Sequence, residues 1–81
     1  MTETAMKATV IDTNHKPQGT KNVKVEFVNG KPSKVEHKGA TYYSEFREGQ
    51  NIATGRTVHL MVAEGDERLW ITTDGSMIWE D

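Results

Sequence analysis

Residues 68–81 read RLWITTDGSMIWED, and this segment has the clearest structural signature in the chain. Two short segments rich in β-branched and aromatic residues flank a central Asp-Gly pair, a pattern typical of a β-hairpin with a two-residue type I′ turn. In that register like side chains face each other, Trp70 with Trp79 and Ile71 with Ile78. We therefore predict an antiparallel hairpin, and we ask next whether the preceding residues form a strand that pairs with it.

The preceding residues predict a third strand, which makes a three-stranded meander from about residue 56 to residue 80. A four-residue loop, EGDE at 64–67, pairs Leu60 with Ile71 and Met61 with Trp70. Alternate residues of each strand then lie on opposite faces of the sheet. The apolar face toward the core consists of Val58, Leu60, Val62, Leu69, Ile71 and Ile78. The reverse, the predicted Met/Trp face, carries His59, Met61, Trp70, Thr72, Met77 and Trp79.

A second meander is predicted from about residue 22 to residue 46, on the basis of charge pairing as well as apolar pairing. The facing pairs are Lys24 with Glu36, Val25 with Val35, Glu26 with Lys34, and, across a Lys38-Gly39 turn, Val35 with Tyr42. Opposite charges on facing strands stabilise such a register. The core-facing residues of this meander are Val23, Val25, Phe27, Val35, Tyr42 and Phe46.

These two meanders predict an all-β fold. Seven glycines, mostly nine to eleven residues apart, separate six or seven short strands. Packing the two apolar faces together makes a small antiparallel sandwich or a partly open barrel. The chain of 81 residues is one domain, 1–81. Residues 6–12 add an edge strand, and residues 1–5 are expected to form a flexible tail.

Composition narrows the function classes. There is no cysteine, so disulfides and thiolate metal sites are excluded. No segment has the length and hydrophobicity of a membrane span, and the first residues do not resemble a signal peptide, so we expect a cytoplasmic protein. Residues 1–40 carry seven lysines against four acidic residues, a net charge of +3, and residues 41–81 carry three arginines against eight acidic residues, a net charge of −5. We therefore expect a molecule with one basic and one acidic side.

The predicted Met/Trp face is the main candidate site. Soluble monomers rarely leave a large apolar patch exposed without a use, and tryptophan is over-represented among the residues that dominate binding. Three explanations of what covers this face stay open. The N-terminal strand or Ile52 of the 47–55 loop covers it, a homodimer buries it, or a foreign protein binds to it. Our main hypothesis is a non-enzymatic interaction module that binds a protein partner, or itself. Its predicted site consists of His59, Met61, Trp70, Met77 and Trp79.

The alternative hypothesis is a small β-barrel that binds single-stranded nucleic acid. Such barrels stack bases on aromatic side chains inside a basic groove. The candidate residues are Lys24, Lys34, Tyr43 and Arg47. However, Glu26 and Glu36 lie on the same predicted face and weaken the attraction to phosphates, which dominates such binding.

Metal binding and catalysis have the least support. His15, His37 and His59 recur every 22 residues, but equal sequence spacing does not make ligands converge. The acidic residues of the loop and C-terminus are expected to gather at one end of the sheet as solvated side chains: Glu64, Asp66, Glu67, Glu80 and Asp81. Glu45 and Glu48 are the one candidate carboxylate pair, with no other catalytic group predicted beside them. We expect no cofactor, no metal and no enzymatic activity.

Overall fold

The computed structural model describes residues 2–12, 14, 16–52 and 54–80, with the backbone alone for Thr2 and Glu80. Seven strands form one closed barrel, and each strand is hydrogen-bonded to its neighbours in chain order. The prediction of a small all-β fold with six or seven strands is confirmed. The strands are β1 (Thr2–Ile11), β2 (Pro17–Val28), β3 (Lys31–His37), β4 (Ala40–Gln50), β5 (Thr57–Ala63), β6 (Arg68–Thr72) and β7 (Met77–Glu80).

Strand β1 closes the barrel. It pairs antiparallel with β2 from Thr2 to Ile11 and parallel with β7 through the residues Thr9, Val10 and Ile11. The first strand is therefore not an edge strand, and the architecture is a closed barrel rather than a sandwich. Residues 2–5, where the sequence predicted a tail, lie in β1 opposite β2. Among the described residues β1 pairs with β7 only from Thr9 to Ile11, so closure protects this part of the two strand edges from edge-to-edge association.

The registers of three hairpins, β2–β3, β3–β4 and β6–β7, are as predicted. In β2–β3 and β3–β4 the observed pairs include Lys24 with Glu36, Val25 with Val35, Glu26 with Lys34, and Val35 with Tyr42. In β6–β7, Trp70 lies opposite Trp79 and Ile71 opposite Ile78. The prediction of a type I′ turn at Asp74-Gly75 is wrong. Such a turn needs a positive φ at both central residues, whereas Gly75 has a positive φ and Asp74 does not. The turn is closed instead by a hydrogen bond from Gly75 N–H to the Thr72 carbonyl, 2.9 Å.

The predicted register between β5 and β6 is wrong by one residue. Leu60 lies opposite Trp70, and Met61 lies opposite Leu69. The connecting loop has three residues rather than four, since Ala63 N–H donates to the Glu67 carbonyl at 2.9 Å. A shift of one residue moves every side chain of a strand to the other face. Val58, Leu60 and Val62, predicted in the core, therefore lie on the outside of the barrel, and His59 and Met61 lie inside.

Two separate apolar clusters result. The barrel interior is filled by alternate side chains of all seven strands: Ala8, Val10, Val23, Val25, Val35, Tyr42, Met61, Ala63, Leu69, Ile71 and Ile78. A second cluster, which we call the outer cluster, lies outside the barrel wall and consists of Ile11, Val58, Trp70, Met77 and Trp79. A closed barrel needs apolar side chains only in its interior, so the outer cluster is the feature of the fold that requires an explanation.

Strand β4 contains a bulge that removes Phe46 from the core. Ser44 pairs with Met61 and Glu48 pairs with His59, so three residues of β4 stand opposite Leu60 alone. The side chain of Phe46 is 95% exposed, and its backbone has a φ of +57°. The prediction that Phe46 faces the core is wrong, because the bulge interrupts the alternation on which that prediction depends.

Candidate functional site

The outer cluster brings together three of the five residues of the predicted binding site, Trp70, Met77 and Trp79. The two rings face each other across β6 and β7. The Trp70 ring extends over β4, where a Cβ atom built on Gly49 would lie 3.7 Å from Cζ3 of the ring. Gly49 therefore provides the flat surface against which the indole packs.

The Trp79 indole is buried with an unused hydrogen-bond donor. The residue is 7% exposed, and its Nε1 has no acceptor among the side chains and backbone that the structure describes. Buried donors are almost always paired, so an unpaired indole N–H needs a specific reason. Trp70 and Met77 in the same cluster are only partly buried, so part of the outer cluster is open to solvent.

Cover from the chain itself is partial. Ile11 of β1 lies opposite Trp79 and packs into the cluster, so the N-terminal strand shields one side of it. Ile52 of the 47–55 loop is 94% exposed and therefore does not cover the tryptophans. The parallel pairing of β1 with β7 is the reason that the first strand reaches this surface.

The remaining two residues of the predicted binding site, His59 and Met61, lie inside the barrel. Met61 is completely buried in the interior core. His59 is buried near one end of the barrel, where its Nε2 lies 3.2 Å from Oγ1 of Thr73 and its Nδ1 lies 3.7 Å from Oε1 of Glu48. Neither residue shares a face with the tryptophans, because the β5–β6 register differs from the predicted one.

A cleft of about 620 Å³ opens at the barrel end where His59 lies. We call it the end cleft and define it by six of its residues: Val28, Lys31, Pro32, Phe46, Glu48 and His59. Lys31 Nζ donates to Oε1 of Glu48 at 2.8 Å. This hydrogen bond and the ammonium charge lower the pKa of Glu48, and the nearby His59 adds to the effect. The end cleft thus combines a sizeable volume, apolar walls and a few convergent polar groups, and this combination is typical of a binding site.

Sequence reasoning missed the end cleft. It identified Glu48 as half of a carboxylate pair with Glu45 and expected no other group beside it, whereas the structure brings Lys31 and His59 to Glu48. Glu45 is exposed in the bulge. Lys31 and Glu48 are 17 positions apart in the sequence, which hides their pairing, and a bulge leaves no periodic signal.

The residues of the predicted nucleic-acid face share the outer surface of β2, β3 and β4. Lys34 lies opposite Tyr43, which is 59% exposed. Glu36 lies opposite Lys24 and 3.8 Å from Nζ of Lys34, so the carboxylate partly neutralises this surface as expected. Arg47 is exposed in the β4 bulge. A neighbouring groove of about 760 Å³ is lined in part by Lys7, Lys24, Lys38 and Glu36.

The predicted metal candidates are not brought together within the described ranges. No group of three or more histidine, aspartate or glutamate side chains is positioned there to hold a metal ion. His15 and Asp81 lie outside the described residues, as does the side chain of Glu80. Glu64, Asp66 and Glu67 are exposed around the β5–β6 loop.

At the barrel end the imidazole of His59 lies between the hydroxyl of Thr73 and the carboxylate of Glu48. The distance of 3.7 Å between His59 Nδ1 and Glu48 exceeds a hydrogen bond, and the Thr73 hydroxyl lies 3.5 Å from the Thr57 carbonyl. This geometry does not orient the imidazole as a general base for Thr73.

The fold and its surfaces define the class of the protein as a small, closed, seven-stranded β-barrel with an apolar cluster on its outer wall. Comparison with protein-family models, with curated proteins and with solved structures finds no match to this chain. Within the part of the chain that the structure describes, no helix is long and apolar enough to cross a membrane.

Proposed function

We propose that the protein is a non-enzymatic interaction module that binds a protein partner through the outer cluster. The observation that carries the proposal is the buried, unpaired indole N–H of Trp79 beside the partly exposed Trp70 and Met77. Because the donor atom itself is buried, a partner reaches it only when side chains of the cluster move aside. A partner that supplies a carbonyl acceptor together with apolar side chains would then satisfy the donor and bury the open part of the cluster. Cytoplasmic location stays a prediction within this proposal.

The chemistry of the surface supports contact with protein. The outward side chains that are only partly buried are Val62 of β5, Trp70 of β6 and Met77 of β7, whereas the outward Val58 and Leu60 are buried. Apolar and aromatic residues, with methionine, are enriched at the centres of protein interfaces, where charged residues are depleted. Methionine also adapts to partners of different shape because its side chain is flexible.

The proposal is tested by affinity capture from extracts of the native host with four forms of the protein. These are the wild type, Trp70→Ala, Met77→Glu and, as a control on the opposite surface, Tyr43→Ala. We expect the wild type and the Tyr43 variant to retain the same proteins and both outer-cluster variants to lose them, because a charge or a cavity at this surface disrupts apolar contact. Binding must then be reproduced with the purified partner by calorimetry.

Unfolding of the variants is the main confounding effect, because Trp70 packs on Gly49. Circular dichroism of each variant therefore accompanies the capture, and Met77→Glu provides a second disruption at a side chain that is only partly buried. Partners retained equally by folded Met77→Glu and by the wild type would refute the assignment of binding to the outer cluster.

A second candidate function, single-stranded nucleic-acid binding, is favoured by one observation, the exposed ring of Tyr43 directly opposite Lys34. Bases stack on such rings, and the lysine supplies attraction to phosphate. Fluorescence anisotropy with a labelled oligonucleotide over a salt series tests it. Affinity that falls steeply with salt, and falls again in Tyr43→Ala but not in Trp70→Ala, would favour this function over protein binding.

A further inference from the structure

We propose that two copies of the chain associate through the end cleft about a two-fold axis, with Phe46 of each copy inserted into the cleft of the other. This inference is independent of the proposed function, because it concerns the barrel end and not the outer cluster. It rests on the position of Phe46, on the shape of the cleft and on the charges at its rim.

Phe46 is held in solvent by a strained backbone. A φ of +57° is rare for a bulky residue, and the ring is 95% exposed, so burial of the ring within the monomer does not compensate for the strain. The bulge that holds it is ordered by a hydrogen bond from Phe46 N–H to Oγ of Ser44, 3.2 Å. Strained residues of this kind persist where the strain serves a function, and bulges often redirect a side chain toward a binding site.

The end cleft is a receptor for an apolar side chain, and it lies beside Phe46 itself. Val28 and Pro32 provide apolar walls, and the volume of about 620 Å³ is ample for a phenyl ring. A projecting ring and a cleft that accepts it therefore belong to the same surface patch. A patch of this kind is self-complementary, which is the requirement for a two-fold interface in which each copy presents the same residues.

The charges at the rim are self-complementary too. The lining of the end cleft holds one ammonium, Lys31, and one carboxylate, Glu48, and both side chains remain substantially exposed although they contact each other. In the two-fold arrangement that we propose, Lys31 of one copy faces Glu48 of the other, so these four charges alternate in sign across the interface. A foreign partner would have to supply both a ring and an alternating charge pattern, whereas a second copy already possesses both.

The first test is the molar mass of the purified protein as a function of concentration, by analytical ultracentrifugation. The variants are Phe46→Ala and the matched control Ile52→Ala, which removes a side chain of nearly equal exposure, 94%, outside the cleft. We expect the wild type to dimerise with rising concentration, Phe46→Ala to raise the dimer dissociation constant at least tenfold, and Ile52→Ala to leave it unchanged. A wild type that stays monomeric at millimolar concentration would overturn the inference, as would equal effects of the two substitutions.

The second test uses charge reversal and gives a gain of association that misfolding cannot mimic. Lys31→Glu and Glu48→Lys should each be monomeric alone, because each places like charges across the axis. Mixed in equal amounts, they should form a heterodimer, since both cross-axis pairs are then of opposite sign. No heterodimer in the mixture of two folded variants would overturn the inference. Trp70→Ala should leave dimerisation unchanged, so failure of the proposed function and failure of this inference are distinguishable.

Discussion

We predict that Gly75→Ala destabilises the barrel much more than a substitution at a glycine with the same backbone conformation elsewhere. Gly75 lies in the turn between β6 and β7 with a φ of +76°. A Cβ atom there would lie 2.8 Å from Sδ of Met6 and 3.3 Å from Cζ of Phe27. Gly39 has a φ of +75°, but a Cβ atom built on it meets nothing within 4 Å, so it is a matched control.

The magnitudes separate the backbone effect from the packing effect. An L residue in the left-handed region costs about 1–2 kcal/mol relative to glycine, and this is the whole effect expected for Gly39→Ala. At Gly75 the new methyl group must also displace Met6, and overpacking of this kind costs about 1–3 kcal/mol more. The expected loss in free energy of unfolding is therefore about 2–5 kcal/mol at Gly75.

Urea unfolding of both variants, followed by tryptophan fluorescence, measures the difference. Adding Met6→Ala to each completes a double-mutant cycle: it should recover part of the stability of Gly75→Ala and none of that of Gly39→Ala, because only the first pair is in contact. Equal losses for the two glycine variants would refute the reasoning, because the packing of the β6–β7 turn against β1 and β2 would then contribute nothing.

Three further predictions concern the core, the bulge and the turn. Met61→Ala should lower the free energy of unfolding by about 2–5 kcal/mol because the side chain is completely buried; a loss below about 1 kcal/mol in urea unfolding would contradict the β5–β6 register. Phe46→Gly should raise the melting temperature of the monomer, measured by circular dichroism at low concentration, because glycine relieves the cost of the positive φ, about 1 kcal/mol. The pKa of Asp74 is lowered from 3.8 to about 2, chiefly by hydrogen bonds from Ser76, so its ionised form stabilises the fold above about pH 4 and this contribution disappears as the pH falls toward 2. Asp74→Asn should therefore flatten the dependence of the urea midpoint on pH in that interval, and an unchanged slope would exclude this carboxylate as the cause.

Hairpins could be predicted from the sequence where their two faces differ in chemistry or where like side chains pair across a turn. In β2–β3, Val25 faces Val35 while the adjacent Glu26 faces Lys34, so a slip of one residue would place a charge in the core. A register is strongly specified wherever one face is buried and the other is polar. In β6–β7 both faces are apolar, and the register followed instead from the central Asp74-Gly75 pair and from the pairing of like side chains, Trp70 with Trp79 and Ile71 with Ile78.

The β5–β6 register could not be predicted because both faces of β5 are apolar. One set of alternate residues is Val58, Leu60 and Val62, and the other contains Met61 and Ala63. Either set fills a core, so the hydrophobic pattern does not choose between them. The choice was made by the β5–β6 loop, in which Gly65 and Asp66 both have positive φ and one residue fewer separates the strands than expected.

The sequence by itself determined the all-β fold class and the registers of β2–β3, β3–β4 and β6–β7, including the pairing of Trp70 with Trp79, because these depend on local alternation and on contacts between neighbours in the chain. Only the tertiary structure decided that β1 closes the barrel against β7, that His59 lies inside it, and that Phe46 projects beside the end cleft. Each of these depends on contacts between residues far apart in the chain or on an interrupted alternation. Periodicity carries no information about either, because it reports which residues share a face and not which faces meet.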